Sequence, residues 1–266
     1  MTDSCCQTYS GLRVLKVDGA LVFLKNRLAV DADGAPNSYT VDGNGLSYTC
    51  DGAQAIVNGV PSTPDSDPQN WQKNCQTYWA AAKNSNNYSK LRIFGFAKDS
   101  HNVPIVQTEG DPLPGKGYIS ETSVPVPDGP AGTQRHWVDA AKIPYIVMPG
   151  SLVGDQGLSG GEIAVVYLPK SKKSAFAVYG DGGKLGEASV KLHQDLGKQP
   201  VVRISGIDRA KQEIDNEKVL TIVFPKDKTQ PTVDATKWQA DIKSAGAATF
   251  KKWGGEDRLN ACAAKF

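Results

Sequence analysis

Ser174-Ala175-Phe176-Ala177-Val178-Tyr179, followed by Gly180-Asp181-Gly182-Gly183-Lys184-Leu185-Gly186-Glu187-Ala188-Ser189, passes from an apolar extended run through a glycine-dominated loop. Beyond it Ala188, Leu192 and Leu196 recur at helical spacing and Gly197 supplies a C′ residue, which predicts a helix from Glu187 to Leu196. On the N-terminal side, Glu162 to Leu168 is a second strand, joined to the first by the basic turn Pro169-Lys170-Ser171-Lys172-Lys173. Ile143-Pro144-Tyr145-Ile146-Val147-Met148-Pro149 is a third, with proline only at its ends, where a ladder tolerates it.

The same reading extends to both termini. Leu12 to Val17 and Ala20 to Leu24 flank Asp18-Gly19, the signal of a tight hairpin. A dense turn follows at Asp31-Ala32-Asp33-Gly34-Ala35-Pro36-Asn37. Residues 50 to 70, rich in Gly, Pro, Ser and Asp, read as an exposed loop, Trp71 to Lys83 as a short helix and Leu91 to Phe96 as a strand. Residues 108 to 135 are loop-rich. Leu220 to Phe224 is a further strand, and Asp234 is a suitable N-cap for a last helix through Trp238, Ile242 and Ala245 that Gly254-Gly255 ends. No repeat or linker is visible. The expected fold class is mainly β (α+β): a single domain over 1–266, core about 12–255, with peripheral helices and long loops, and 27 Gly and 16 Pro fit so many turns.

Thirty Lys and Arg against 28 Asp and Glu leave a net charge of +2, without the concentrated basic excess of a nucleic-acid binder. No apolar stretch approaches the roughly 18 residues of a membrane span, so a soluble chain is expected. The start, Met1-Thr2-Asp3-Ser4-Cys5-Cys6, shows no basic segment leading into an apolar one. Cytoplasmic residence, prior removal of a leader, or an unmarked export route all stay open. Five cysteines, at 5, 6, 50, 75 and 262, cannot close into a full disulfide set within one chain; Cys50 and Cys75 could bridge in an oxidising compartment. There is no C-x-x-C pair, and His101, His136 and His193 lie far apart in sequence, so no metal site and no cofactor are expected.

Chemistry centres on Asp181 and Glu187, which bracket the glycine loop. Glycosidic cleavage needs two carboxyl groups, one giving a proton to the leaving oxygen and one activating water or attacking carbon. The residues alone equally allow Asp181 as a turn residue and Glu187 as a first-turn acid of a helix. Asp31 and Asp33 could bind amino-sugar nitrogens, hold a catalytic group or coordinate calcium, but Ala35-Pro36 breaks an EF-hand loop, and an Asx turn explains the pair as well. Lys184 could lower a neighbouring carboxyl pKa or meet substrate oxygens. His193 is expected at the surface or behind the site. Trp71, Trp79 and Trp137 could stack on sugars, with core packing the more ordinary fate.

Read together, these segments resemble the fungal chitosanases of glycoside hydrolase family 75 and their bacterial relatives. The matching pieces are Leu28 to Tyr39, Ile143 to Gly150, Gly161 to Val166, Ala177 to Asp181 and Leu185 to Ser189, with Thr221 to Pro225 and Trp253-Gly254-Gly255 similar to the bacterial branch. The resemblance implies that Asp181 and Glu187 are the two essential acids of an inverting, endo-acting hydrolase of a β-1,4 amino-sugar polymer. Asp31, Asp33, Tyr145 and Lys184 are then candidate substrate-binding residues. Glu187, at a helix N-terminus, would suit the base better than the acid, although burial against Tyr145 or Tyr179 could reverse that. The strand–loop–helix passage is also similar to the six-stranded double-psi barrels of other polysaccharide-cleaving proteins.

Alternatives stay in view. The mildly basic charge fits peptidoglycan better than polycationic chitosan, as for an antibacterial effector delivered to the periplasm or beyond and matched by an immunity protein. A wall-binding protein without turnover, and lytic cleavage with one acid/base, are the others. A monomer with a polysaccharide partner and no nucleic-acid or membrane partner is expected.

Overall fold

The computed structural model describes residues 4–9 and 12–264. In chain order the elements are β1 (Ser4–Tyr9), β2 (Leu12–Val17), β3 (Ala20–Asp31), β4 (Ala53–Val57), β5 (Val60–Pro61), α1 (Trp71–Ser85), β6 (Leu91–Ile93), β7 (Tyr145–Met148), α2 (Gly150–Gln156), β8 (Glu162–Leu168), β9 (Lys173–Gly182), β10 (Glu187–Ser189), α3 (Val190–Asp195), β11 (Val201–Ile204), β12 (Ile207–Ala210), β13 (Ile214–Lys228), α4 (Ala235–Trp253) and α5 (Gly255–Ala263).

The principal sheet runs β1-β2-β3-β10-β7-β9-β8-β13, and β13 pairs back onto β3. That last pairing closes β3, β10, β7, β9, β8 and β13 into a six-stranded barrel, so the mainly β expectation holds. The β10–β3 and β7–β9 pairs are parallel and the rest of the ring antiparallel. All seven residues of β8 are buried, a continuous apolar run in place of the alternation of a half-exposed strand. The cause is coverage on both faces: the barrel interior on one side and α4 on the other. Gly246 of α4 lies against Phe176 of β9, where a Cβ would fall 2.6 Å from the ring. Asp234 caps α4 by accepting from the Lys237 N–H at 2.9 Å, and Trp238, Ile242 and Trp253 are buried along its inner face.

A second, smaller core gathers Tyr39, Cys50, Cys75, Trp79, Tyr88, Leu91, Ile93, Phe96 and Tyr118. It lies under the three-stranded sheet β5-β4-β6 and α1. Cys50 and Cys75 are joined as a disulfide.

Several elements differ from expectation. Residues 50 to 70 are not simply loop, because Val57-Asn58-Gly59-Val60 forms a hairpin with Asn58 at φ 52° and Gly59 at φ 82°; Asn-Gly favours that turn. The helix expected from Glu187 begins only at Val190. Ser189 caps it, accepting from Leu192 N–H at 3.1 Å, while Glu187 to Ser189 are held as strand β10 by β3. His193 is fully buried, its ring nitrogens 2.9 Å and 3.1 Å from the carbonyl oxygens of Ser189 and Leu28. It packs α3 onto β3 and has no surface role. Helices α2 and α5 and the β11–β12 hairpin are further elements that the sequence reading did not anticipate.

Candidate active site

Strand register brings the singled-out residues to one face. In the parallel β10–β3 pair Glu187 lies opposite Ala29 and Ser189 opposite Asp31, so Glu187 and Asp31 project to the same side. Ala188 lies opposite Ile146 of β7, which puts Tyr145 and Val147 on the Glu187 side. Along β7–β9, Ile146 pairs with Tyr179 but Val147 pairs with Asp181, leaving Gly180 as an extra residue. That β-bulge turns Asp181 onto the face of Tyr145; without it Asp181 would lie opposite Met148 and point away. Gly180 is required sterically as well, since a Cβ there would sit 2.5 Å from Tyr145 Cβ. Gly186 at φ 91° lets the chain re-enter the sheet just before Glu187.

Carboxyl oxygens of Asp31, Asp33 and Asp181 all lie within 4.8 Å of one another. Such a triad can share protons or hold a divalent cation. With their carboxyl oxygens so close and largely shut off from water, Asp31 and Asp181 disfavour being ionised together. Burial, reinforced by the Asp181 charge, pushes Asp31 up to about 7. Burial likewise raises Asp181 to about 6, although the Ser123 and Gly182 N–H groups oppose it. Both of those N–H groups donate to Asp181 Oδ1 at 2.6 Å, so the proton of Asp181 resides on Oδ2. Asp33 is driven well above the usual carboxylate range by burial and then by Asp31 and Asp181.

Tyr145 is fully buried beneath this group, and its hydroxyl donates to the Asp33 carbonyl oxygen at 2.9 Å. Glu187 is half-buried, and burial raises its pKa too. The Lys184 N–H, 3.3 Å from Glu187 Oε2, and the charges of Lys184 and Arg27 act in the opposite direction. Glu187 lies in β10, before the Ser189 cap of α3, and so is not the first-turn acid of a helix from which a base preference was argued. Lys184 itself is exposed.

Reading the sequence missed two groups that act on the cluster: Ser123 and Arg27. Ser123 is 58 residues from Asp181 in sequence and acts through its backbone, so no side-chain pattern marks it. Two hollows are lined without the site's carboxylates. One, about 590 Å³, lies between β9, α3 and α4; the other, about 300 Å³, is lined by Trp137 and Trp238 and shares Gly34 with the site's flank. Trp79 packs in the smaller core against Tyr88, Phe96 and Tyr118. Trp71 is half-buried against the same core.

A family model described as fungal chitosanase of glycosyl hydrolase group 75 matches residues 46–259. The match includes Tyr145, Asp181, Lys184 and Glu187, and begins after Asp31 and Asp33. No curated protein matches the chain significantly.

Proposed function

The chain belongs to glycoside hydrolase family 75 and is a chitosanase-like glycoside hydrolase, and we propose that it cleaves internal β-1,4 bonds of a glucosamine-rich polymer with inversion at the anomeric carbon. The observation that carries this reading is the face built by the Gly180 bulge, where Asp31, Asp181 and Glu187 project together beside Asp33. An overall charge of +2 is no obstacle to a polycationic substrate when acids concentrate at one place.

In this mechanism Asp181 is the general acid. It is the more buried of the pair, its Oδ1 is held by two backbone donors, and burial keeps a proton available near pH 6. Glu187, less buried and facing the positive charges of Lys184 and Arg27, is the base that takes a proton from the attacking water. Asp31 and Asp33 receive substrate ammonium groups, and an arriving cation favours their ionised forms. The Cys50–Cys75 disulfide supports work in an oxidising compartment, outside the reducing cytosol. Among the described residues no helix is long and apolar enough to cross a membrane.

The test is product release from chitosan, chitin oligomers and purified peptidoglycan by wild type, Asp181→Asn and Glu187→Gln. Chitosan turnover that falls by about 10³-fold or more in both variants is expected, with an α-configured first product by NMR. Turnover of peptidoglycan alone would move the substrate to the wall polymer. A β-configured product would overturn inversion, and full activity in either variant would remove it from the mechanism.

A further inference from the structure

Phe94 is 48% exposed, and it is the only ring among the large apolar side chains left exposed among the described residues. Its backbone is nonetheless tightly held. The Gly52 carbonyl oxygen accepts from both the Phe94 and the Gly95 N–H groups, at 2.9 Å and 3.1 Å. A Cβ on Gly95 would fall 2.7 Å from Gly52 Cα, so the two chains approach there with no room for a side chain. Ile93 and Phe96 on either side are buried, while Phe94 keeps its ring at the surface. We propose that Phe94 and Glu121 form a further sugar subsite beside the acids: the ring stacks on the apolar face of a hexosamine, and the carboxylate pairs with that sugar's ammonium group. This rests on reading the carboxylate face as the active site of a chitosan hydrolase.

Strand-like pairing places these two residues next to the acids. Phe96 bridges Ser120 in antiparallel fashion, and the Gly95 carbonyl oxygen accepts from Glu121 N–H at 3.3 Å. Glu121 therefore lies across from Gly95, one residue from Phe94. The same stretch holds the site. Ser120 Oγ accepts from Gly34 N–H at 2.9 Å, directly after Asp33, and Ser123 N–H donates to Asp181 Oδ1 at 2.6 Å. From Glu121 to Ser123 is two residues, about 7 Å of extended chain, within reach of a neighbouring ring of a polymer bound at Asp181. Glu121 is half-buried, and that burial raises its pKa against the pull of the Lys98 charge. An arriving ammonium favours the ionised form of such a carboxyl group. A glucosamine polymer offers one apolar ring face and one ammonium per sugar, which is the pair of groups that Phe94 and Glu121 match. A single exposed apolar side chain is ordinary; a ring on fixed backbone, beside a carboxylate and close to Asp181, forms a platform already organised for binding.

Phe94→Ala in the full chain is expected to raise KM on chitosan about 10-fold while kcat falls by about threefold at most, the pattern of lost binding shared by ground and transition states. Phe94→Tyr keeps a ring and is expected to hold KM within about threefold of wild type. Glu121→Gln is expected to narrow the preference for fully deacetylated over half-acetylated chitosan by about fivefold, because the charge partner of the ammonium is gone. Binding is read without turnover by calorimetry of glucosamine hexamer on Glu187→Gln and on Glu187→Gln with Phe94→Ala, the second expected to bind about 10-fold more weakly. Equal affinity in those two chains overturns the proposal, as does a wild-type KM in Phe94→Ala. So does a rise in KM that Phe94→Tyr shares in full, since a stacking surface is present in that variant. Wild-type inactivity on every polymer takes down this proposal together with the hydrolase mechanism; wild-type activity on chitosan with an unaltered Phe94→Ala removes this one alone.

Discussion

In the barrel, strands of up to 15 residues close on one another, and the core between them and α4 is largely aliphatic. In the lobe the strands are five, two and three residues long, and the core is built from Tyr39, Trp79, Tyr88, Phe96 and Tyr118 around a disulfide. Ring contacts at 5.0 to 6.0 Å take the place of long ladders there. Irregular backbone around the lobe is satisfied by side chains. Arg209 donates to the carbonyl oxygens of Gly43, Gly45 and Ser47, and Gln134 donates to those of Gly34 and Ser120. A sheet this short cannot hold itself by main-chain pairing, so the lobe depends on a covalent link and polar anchors. Asp31, Asp181 and Glu187 belong to barrel strands, and Asp33 follows in the turn through which the chain leaves β3 for the lobe.

That contrast can be broken by measurement. Leu168→Ala, at a barrel position with no exposed surface, is expected to cost about 2–5 kcal/mol in urea denaturation, as deletion from a closed core does. Replacing both Cys50 and Cys75 by Ser should cost about 2–4 kcal/mol, with the barrel strands keeping their hydrogen-exchange protection while the lobe loses its own. Equal loss of protection in both would show one cooperative unit and end the distinction.

The third effect is smaller and has the opposite sign. The folded chain binds the Asp31 proton more tightly than the unfolded chain does, so wild-type stability falls as pH rises from 3.8 towards about 7. Asp31→Asn removes that term and is expected to raise stability at pH 7.5 by about 1–2 kcal/mol, with the gain vanishing below about pH 4. A variant no more stable than wild type at pH 7.5 would show that the carboxylate cluster carries no such strain.

Much of the barrel was legible because its signals are local. Asp18-Gly19 at a hairpin, the continuous apolar run Glu162 to Leu168, and Asp234 ahead of an amphipathic helix each act within a few residues. The acid pair was legible only through the likeness of Gly180-Asp181 and Gly186-Glu187 to a known family; the spacing alone equally described a turn and a helix start. The lobe was the least readable part, since its aromatics are scattered from Tyr39 to Tyr118 and Asn58-Gly59 is buried in a composition that looks like loop.

By itself, then, the sequence determined which segments extend, where several of them turn, and which acids border the glycine loop. Only the closed barrel decided the rest. Whether Glu187 opens a helix or joins a strand depends on β3 being beside it, and whether Asp181 faces Tyr145 or turns away depends on one bulged residue, Gly180, relative to β7. Such pairings lie far apart along the chain, and a slip of one residue reverses every side chain beyond it. The closeness of Asp31 and Asp181, and the burial that raises both, exist only once β3 and β9 have been brought together.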